Sequence, residues 1–445
     1  MGEDSELSEF ENLYYSGQYQ QLLDLSQVGD TVQNDYWKMT ALWRLGRFED
    51  AIDVGLQTKE RFSKDDIEWR AKVLHRIGTL YHAMADLEIS LDYYQQSLSL
   101  KQIIGNEVEI ADTLNNIGII HYDQGEFDLA LKYYERSLEL KLKHKRSKDI
   151  APSLNNIAIV YRTMGELNPA LSYFTRCLEL NQANNNQQDI SYSLQNIGKI
   201  HRDRGEYKEA MKYFSDSLDI RLAIGNMYNI AEMYMDMIVT LAEIDKLEEA
   251  KGYLKQLEKV ASQDSNRKIA LFNNYATAIL LKASKRIKDT GKAQEIFADL
   301  LQENDFDFYL QIKIYGHLVE LLIYEYKSFE DESVLQEILL YTTRMLEVAN
   351  DQHMFTTQVD VLLLQSKLAI IQNDFDRCHT LLLQAKQLAK SKHLQQYTDY
   401  IEQEEDNLRV NLNDLKDIIK NSSVSSKLEE TALLDYIKVV QKSRE

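Results

Sequence analysis

Residues 112–141 read DTLNNIGIIHYDQGEFDLALKYYERSLELK, and residues 152–181 read PSLNNIAIVYRTMGELNPALSYFTRCLELN. Residues 192–221 read YSLQNIGKIHRDRGEYKEAMKYFSDSLDIR, so one 30-residue phrase recurs at 40-residue intervals. In the first copy Leu114, Ile117, Gly118 and His121 fall at i, i+3, i+4 and i+7, one face of a helix. Gly125 ends that helix, because glycine takes the left-handed cap conformation without a Cβ clash. A second helix carries Ala130, Tyr134, Ser137 and Leu138 at helical spacing. Neither helix can hide its apolar stripe alone. Stacking successive pairs buries the stripes against each other, which defines a solenoid of antiparallel helix pairs. Small residues at fixed slots, Gly118, Ala158 and Gly198 on first helices and Ala130, Ala170 and Ala210 on second helices, permit close approach.

The rest of the composition agrees. With 2 prolines and 16 glycines in 445 residues, the chain reads as almost entirely helical. The hydrophobic fraction of 44% is normal for a globular core and too high for disorder. A net charge of −20 repels phosphate backbones and anionic lipid, which argues against nucleic-acid and membrane partners. No apolar run is long enough to span a bilayer, and MGEDSELSEF has no apolar segment of a secretory signal. Two cysteines, Cys177 and Cys378, make no disulfide framework and sit in small-residue slots of second helices. These features lead to the expectation of a cytoplasmic protein.

The order small–Tyr–Gly–Ala–aromatic–small, here Ala158, Tyr161, Gly165, Ala170, Phe174 and Cys177, resembles the tetratricopeptide repeat family. The 40-residue period with LNNI in the first helix is most similar to kinesin light chain and to prokaryotic multi-repeat proteins. The resemblance implies an all-α right-handed superhelical solenoid. Gly78, Tyr81, Tyr94 and Ser97 extend the pattern upstream, with Ala85 at the turn, and Gly46 with Ala51 marks an earlier turn. Gly17 and Tyr19 mark a partial copy at the start. Downstream, Asp245 and Asn373 stand where the turn glycine belongs. Eight or nine helix pairs are expected. The organisation reads as 1–66, partial and first pairs; 67–262, a regular array; 263–410, divergent repeats; and 411–445, capping or docking helices.

On each first helix a polar face lies opposite the core stripe. For 112–124 it carries Asp112, Asn116, Ile119 and Asp123, flanked by Asn115 and Tyr122. Equivalent positions hold Lys72, Arg76 and Thr79 beside His75 and His82; Asn155, Asn156, Ile159, Arg162 and Thr163; and Tyr192, Gln195, Asn196, Lys199, Arg202 and Asp203. The resemblance implies that this face lines a concave peptide-binding groove. A carboxamide both donates and accepts, so a ladder of Asn116, Asn156 and Asn196 can hold an extended backbone. Arg76, Arg162, Lys199 and Arg202 can pair an acidic or C-terminal carboxylate. The same amides can instead bond the neighbouring repeat, and both readings stand open here.

Other motifs fail. The sequence DTGKA at 289–293 lacks the remaining residues of a phosphate loop, with Arg286 and Ala293 at the diagnostic positions. His121 and His201 occupy the Tyr slot and read as core rings, not metal ligands. The basic run KLKHKRSK, 141–148, reads as a solvated helix end. No catalytic constellation assembles, so the expected function is a non-catalytic protein- or peptide-binding scaffold, without cofactor or metal. The alternative is a peptide-gated regulator whose superhelix changes pitch. After the polar break NSSVSSK, 421–427, a last helix presents Leu433, Tyr436, Ile437 and Val440 on one face, as a cap or as an occupant of the groove.

Overall fold

The computed structural model describes residues 3–63, 66–144, 147–303, 308–352, 354–392, 394, 397–406 and 423–441. Among these the regular secondary structure is α-helix throughout. The chain forms two compact units, Met1–Val160 and Tyr161–Glu445. The division falls inside the regular array read from the sequence.

The first unit pairs Glu3–Tyr15 with Tyr19–Ser26, Val32–Arg44 with Phe48–Glu60, Ile67–Ala83 with Leu87–Ile104, and Glu107–Asp123 with Phe127–Lys143. The helix Ser147–Thr163 carries the chain across the division. In the second unit Leu167–Ala183 is followed by the pairs Gln187–Asp203 with Tyr207–Ile224, and Met227–Glu243 with Leu247–Gln263. Arg267–Ala283 then pairs with Ile287–Leu300, Phe308–Phe329 with Glu332–Asp351, and Phe355–Ile371 with Phe375–Ser391. Nine pairs are thus found among the described residues, within the eight or nine expected. The short N-terminal pair is complete, and 263–410 holds its pairing where its sequence identity fades. The C-terminus departs from a single helix after a polar break: Ser423 caps a helix Val424–Glu430, and a second helix follows, Leu433–Gln441. Part of the expected break is therefore helical, and Val440 and residues 421–422 lie outside the described side chains.

The turns explain why the pairs close. Gly125 has φ +68°, its N–H reaches the Tyr122 carbonyl at 2.9 Å, and the Glu126 N–H reaches that of His121 at 2.8 Å. These bonds satisfy carbonyls the helix end leaves open. Ala85, Asp245 and Asn373, the departures noted in the sequence, hold φ +61°, +58° and +59°, so the fold imposes the left-handed turn where no glycine offers it. Asn106, Asn186 and Asn226 then cap the next first helix, each accepting from the backbone N–H three residues on.

Close approach rests on the small slots. A Cβ at Gly118 would lie 2.7 Å from Cδ1 of Tyr134, and one at Gly198 would lie 2.5 Å from Cε1 of Phe214. Both rings are buried, as are Tyr94 and Phe174 in the same slot. The Ser slot adds a cross-link: Ser97 donates to the Ala71 carbonyl, Ser137 to Ala111 and Ser217 to Ser191, at 2.7, 2.6 and 2.8 Å. Cys177 and Cys378 are free and buried, and burial pushes the Cys378 thiol up to about 12. Both are inert packing groups.

A left-handed φ costs an L-residue roughly 1–2 kcal/mol. Ala85→Gly and Asp245→Gly should therefore each raise the melting temperature, and Gly125→Ala should lower it. Thermal denaturation followed by circular dichroism measures the order.

Candidate functional site: the polar face of the first helices

Helical phase sets the polar face, and the repeat sets its neighbours. Asn115, Asn116, Asn155, Asn156 and Asn196 are half-buried on it, whereas Gln195 is buried. Neighbouring repeats are stitched across this face with an offset of 41 residues. Nδ2 of Asn116 lies 3.1 Å from Nε2 of His75, Asn156 donates to Asn115 Oδ1 at 3.3 Å, and Gln195 donates to Asp236 Oδ2 at 2.7 Å. Each stitch joins the same two slots, because Asp236 stands where Asn116 and Asn156 stand in their own repeats. A second stitch runs near the helix ends. Nε2 of His82 meets Asp123 Oδ2 at 2.8 Å, and Nε of Arg162 meets Asp203 Oδ2 at 2.8 Å.

Asn115, Asn116, Asn156 and Gln195 thus each reach a side chain of a neighbouring repeat. A carboxamide carries two N–H donors and an oxygen with two lone pairs, so one stitch does not exhaust it.

The four cations differ. Lys199 lies 3.7 Å from Asp236, and Arg202 lies 3.4 Å from the same carboxylate. Arg162 is held by Asp203. Arg76 instead stacks on aromatic rings, its guanidinium 5.4 Å from the Tyr36 centroid and 4.7 Å from that of Trp43, and it donates to the Tyr36 hydroxyl at 3.1 Å. Among the described residues it pairs with no carboxylate, and its Nε is buried without a hydrogen-bond partner. Lys72 lies over Trp69, 4.7 Å from the centroid, close to the same aromatic group. Tyr122 packs on Phe127.

Sequence reading missed a column of buried polar groups at the last residue of the repeated phrase: Lys101, Lys141, Asn181 and Arg221. The recurrence at 40-residue spacing was the available signal. Lys101 donates to Thr113, Lys141 to Ser153 and Asn181 to Ser193, at 2.9, 3.0 and 3.1 Å. Arg221 is 1% exposed and donates to Gln195 Oε1 and the Asn229 carbonyl, both at 2.6 Å. Lys141 was expected on a solvated helix end, and it is buried because its aliphatic stem packs while its ammonium reaches the next repeat. Lys143 and His144 pair with Glu107, and the next two residues of that run lie outside the described ones.

His121 stacks on Tyr133 and His201 on Tyr213, with centroids 5.1 and 5.2 Å apart, so both are core rings as read. Among the described residues no group of His, Cys, Asp or Glu is placed to hold a metal. No described helix is long and apolar enough to cross a membrane.

The family profile of the tetratricopeptide repeat matches residues 69–143, 109–183 and 149–223. Residues 69–223 thus carry tetratricopeptide repeats. Its fold is similar to that of the apo form of RapI, at 15% identity, TM-score 0.58, covering 79% of this chain and 97% of that one. It is also similar to apo NprR, a quorum sensor from B. thuringiensis, at 17% identity, TM-score 0.54, covering 78% and 98%. A Rap protein complexed with competence and sporulation factor aligns at 13% identity, TM-score 0.52, covering 78% and 98%. No curated protein sequence matches the chain significantly.

Two outcomes are expected. Asp236→Ala strands Arg202 and Gln195 without their acceptor and should destabilise the chain by about 3 kcal/mol in urea denaturation. His75 and His317 are held well below the ordinary 6.5, first by burial, then by the nearby Lys101 and Lys282 charges. The unfolded chain therefore takes up these protons first as pH falls. Stability should be flat above about 6.5 and decline below it, and His75→Gln with His317→Gln should shallow that decline. Melting temperatures between pH 7.5 and 5 test the sign.

Proposed function

We propose that the chain is a non-catalytic scaffold that binds an extended peptide along the polar face of its first helices. The observation that supports this most is Arg76. In a chain of net charge −20, a groove-face cation without an acidic partner among the described residues leaves a charge that a ligand carboxylate can pair. The aromatic rings of Tyr36 and Trp43 hold its guanidinium in place, which lowers the ordering cost of binding. Arg162, Lys199 and Arg202 already neutralise acids of the chain and contribute less to such a ligand. The partner is then an acidic segment or a C-terminal carboxylate, gripped at Arg76, with the remaining amide valences of Asn115, Asn116, Asn155 and Asn156 along its backbone.

A second reading, peptide-gated regulation with a change of superhelix pitch, is supported by the architecture shared with the quorum sensor NprR and with a Rap protein complexed with competence and sporulation factor. The 41-residue stitches are the bonds such a change would have to break and remake.

The deciding experiment uses acidic peptides ending in a free carboxylate, titrated against wild type, Arg76→Ala and the triple Asn116/Asn156/Asn196→Ala variant. Arg76→Ala should lose affinity more than any single Asn→Ala, each worth about 1 kcal/mol, and its loss should shrink as salt rises. For the triple variant, affinity lost at unchanged melting temperature places the ladder at the ligand. A melting temperature several degrees lower, with affinity unchanged for the folded fraction, makes the ladder mortar between repeats. No binding of any probe by wild type would overturn the proposal.

A further inference from the structure

The left-handed turn residues give a common register, and that register shows what covers the last repeat. Gly125 and Asn373, with φ +68° and +59°, end the first helices Glu107–Asp123 and Phe355–Ile371. Aligned on them, Asp112, Asn116, Ile119 and Asp123 correspond to Asp360, Leu364, Lys367 and Ile371. The first four are half-buried; the second four are 1, 0, 7 and 4% exposed. The polar face of this repeat is therefore filled.

The filler is the C-terminal segment. Tyr436 donates from its hydroxyl to Asp360 Oδ1 at 3.3 Å, and Nζ of Lys367 lies 5.4 Å from the Tyr436 ring centroid. Leu433 and Ile437, one turn apart on the same helix, are fully buried against Phe308–Phe329 and Phe355–Ile371. Lys327, at the Tyr122 position when Glu330 is aligned on Gly125, pairs with Glu429 at 3.4 Å. The Val424 N–H donates to Glu330 Oε1 at 3.3 Å. Residues 397–406 share this face and also cover the last pair: Tyr397 donates to Asp360 Oδ2 at 3.0 Å, and Lys367 pairs with Glu404 at 3.3 Å. Residues 397–406 lie on Phe375–Ser391 through Lys386 with Glu405 at 2.7 Å and Lys390 with Glu402 at 3.2 Å.

We propose that the polar face of the last two helix pairs is a binding site for an amphipathic helix, and that residues 423–441 are its tethered ligand. The site reads Leu, Tyr and Ile at i, i+3 and i+4: two apolar anchors and a hydroxyl for a buried carboxylate. Val424, Leu428, Leu433, Tyr436 and Ile437 are the buried side chains that hold the segment, with one neutral donor and one ion pair beside them, and the sequence places 407–422 between it and the repeats. Tethering supplies the rest by raising the local concentration of the segment. A partner helix with the same three-residue pattern competes for this face, and its binding releases 423–441. The inference stands apart from the peptide reading at Arg76, which concerns the first unit.

The test uses the full chain and a fluorescent peptide of residues 423–441 added in trans. Leu433→Asp with Ile437→Asp should empty the site, and this variant should bind the peptide about a hundredfold more tightly than wild type, whose tethered copy competes. Adding Asp360→Asn to the double variant should weaken that binding, and a peptide carrying Tyr436→Phe should bind less well. Hydrogen exchange in 355–371 should rise in the double variant and fall again with peptide. Equal binding by wild type and a folded double variant would overturn the proposal. So would loss of the 308–406 helices in the double variant together with a chain carrying Tyr436→Phe alone that binds the peptide no better than wild type, because the segment is then part of the folding core.

Discussion

Contact between an aromatic ring and a bare backbone sets the spacing of the pairs that carry Gly78, Gly118 and Gly198. Tyr134 lies where a side chain at Gly118 would have to be, and Phe214 does the same over Gly198. With the first and second helices this close, the Ser slot can bond a carbonyl of the facing helix, and the rings of His121 and Tyr133 or His201 and Tyr213 can stack. A larger residue in the small slot would separate the pair and lose all three together. The packing is local, so each pair depends on its neighbours and not on a central core.

That locality has a consequence for the polar face. First helices of adjacent repeats need something to fix their offset, and the chain uses side chains for it. The 41-residue stitches at His75–Asn116, Asn115–Asn156 and Gln195–Asp236 keep one repeat in register with the next within each unit. Because they run along the face proposed to receive a ligand, a ligand contacting these groups would act on the spacing of repeats as well. The buried column of Lys101, Lys141, Asn181 and Arg221 lies behind the stitches and braces them: Lys101 approaches Nδ1 of His75, and Arg221 donates to Gln195. Burying such groups is costly unless each finds a partner, and the described bonds supply partners to all four side chains, leaving Nε of Arg221 unbonded.

The sequence by itself determined the repeat, the helix pairing and the phase of the polar face. All three follow from periodicity and from glycine at the turn, which are local properties of the chain. It also placed the histidine rings and both cysteines in their packing slots. Tertiary structure alone decided the rest. Whether an amide on the polar face is turned to a neighbour depends on a group 41 residues away, and no local pattern carries that distance. Arg76 looks like Arg162 in sequence, yet one stacks on Tyr36 and Trp43 while the other pairs with Asp203. Ala85 and Asp245 adopt the left-handed turn against their own preference because flanking helices over-determine it. The two roles open to the C-terminal helix, cap or occupant, share one amphipathic pattern. Only the tertiary structure places that helix against Phe308–Phe329 and Phe355–Ile371, with Tyr436 beside Asp360, because a helix's apolar stripe states that it must be buried and not where.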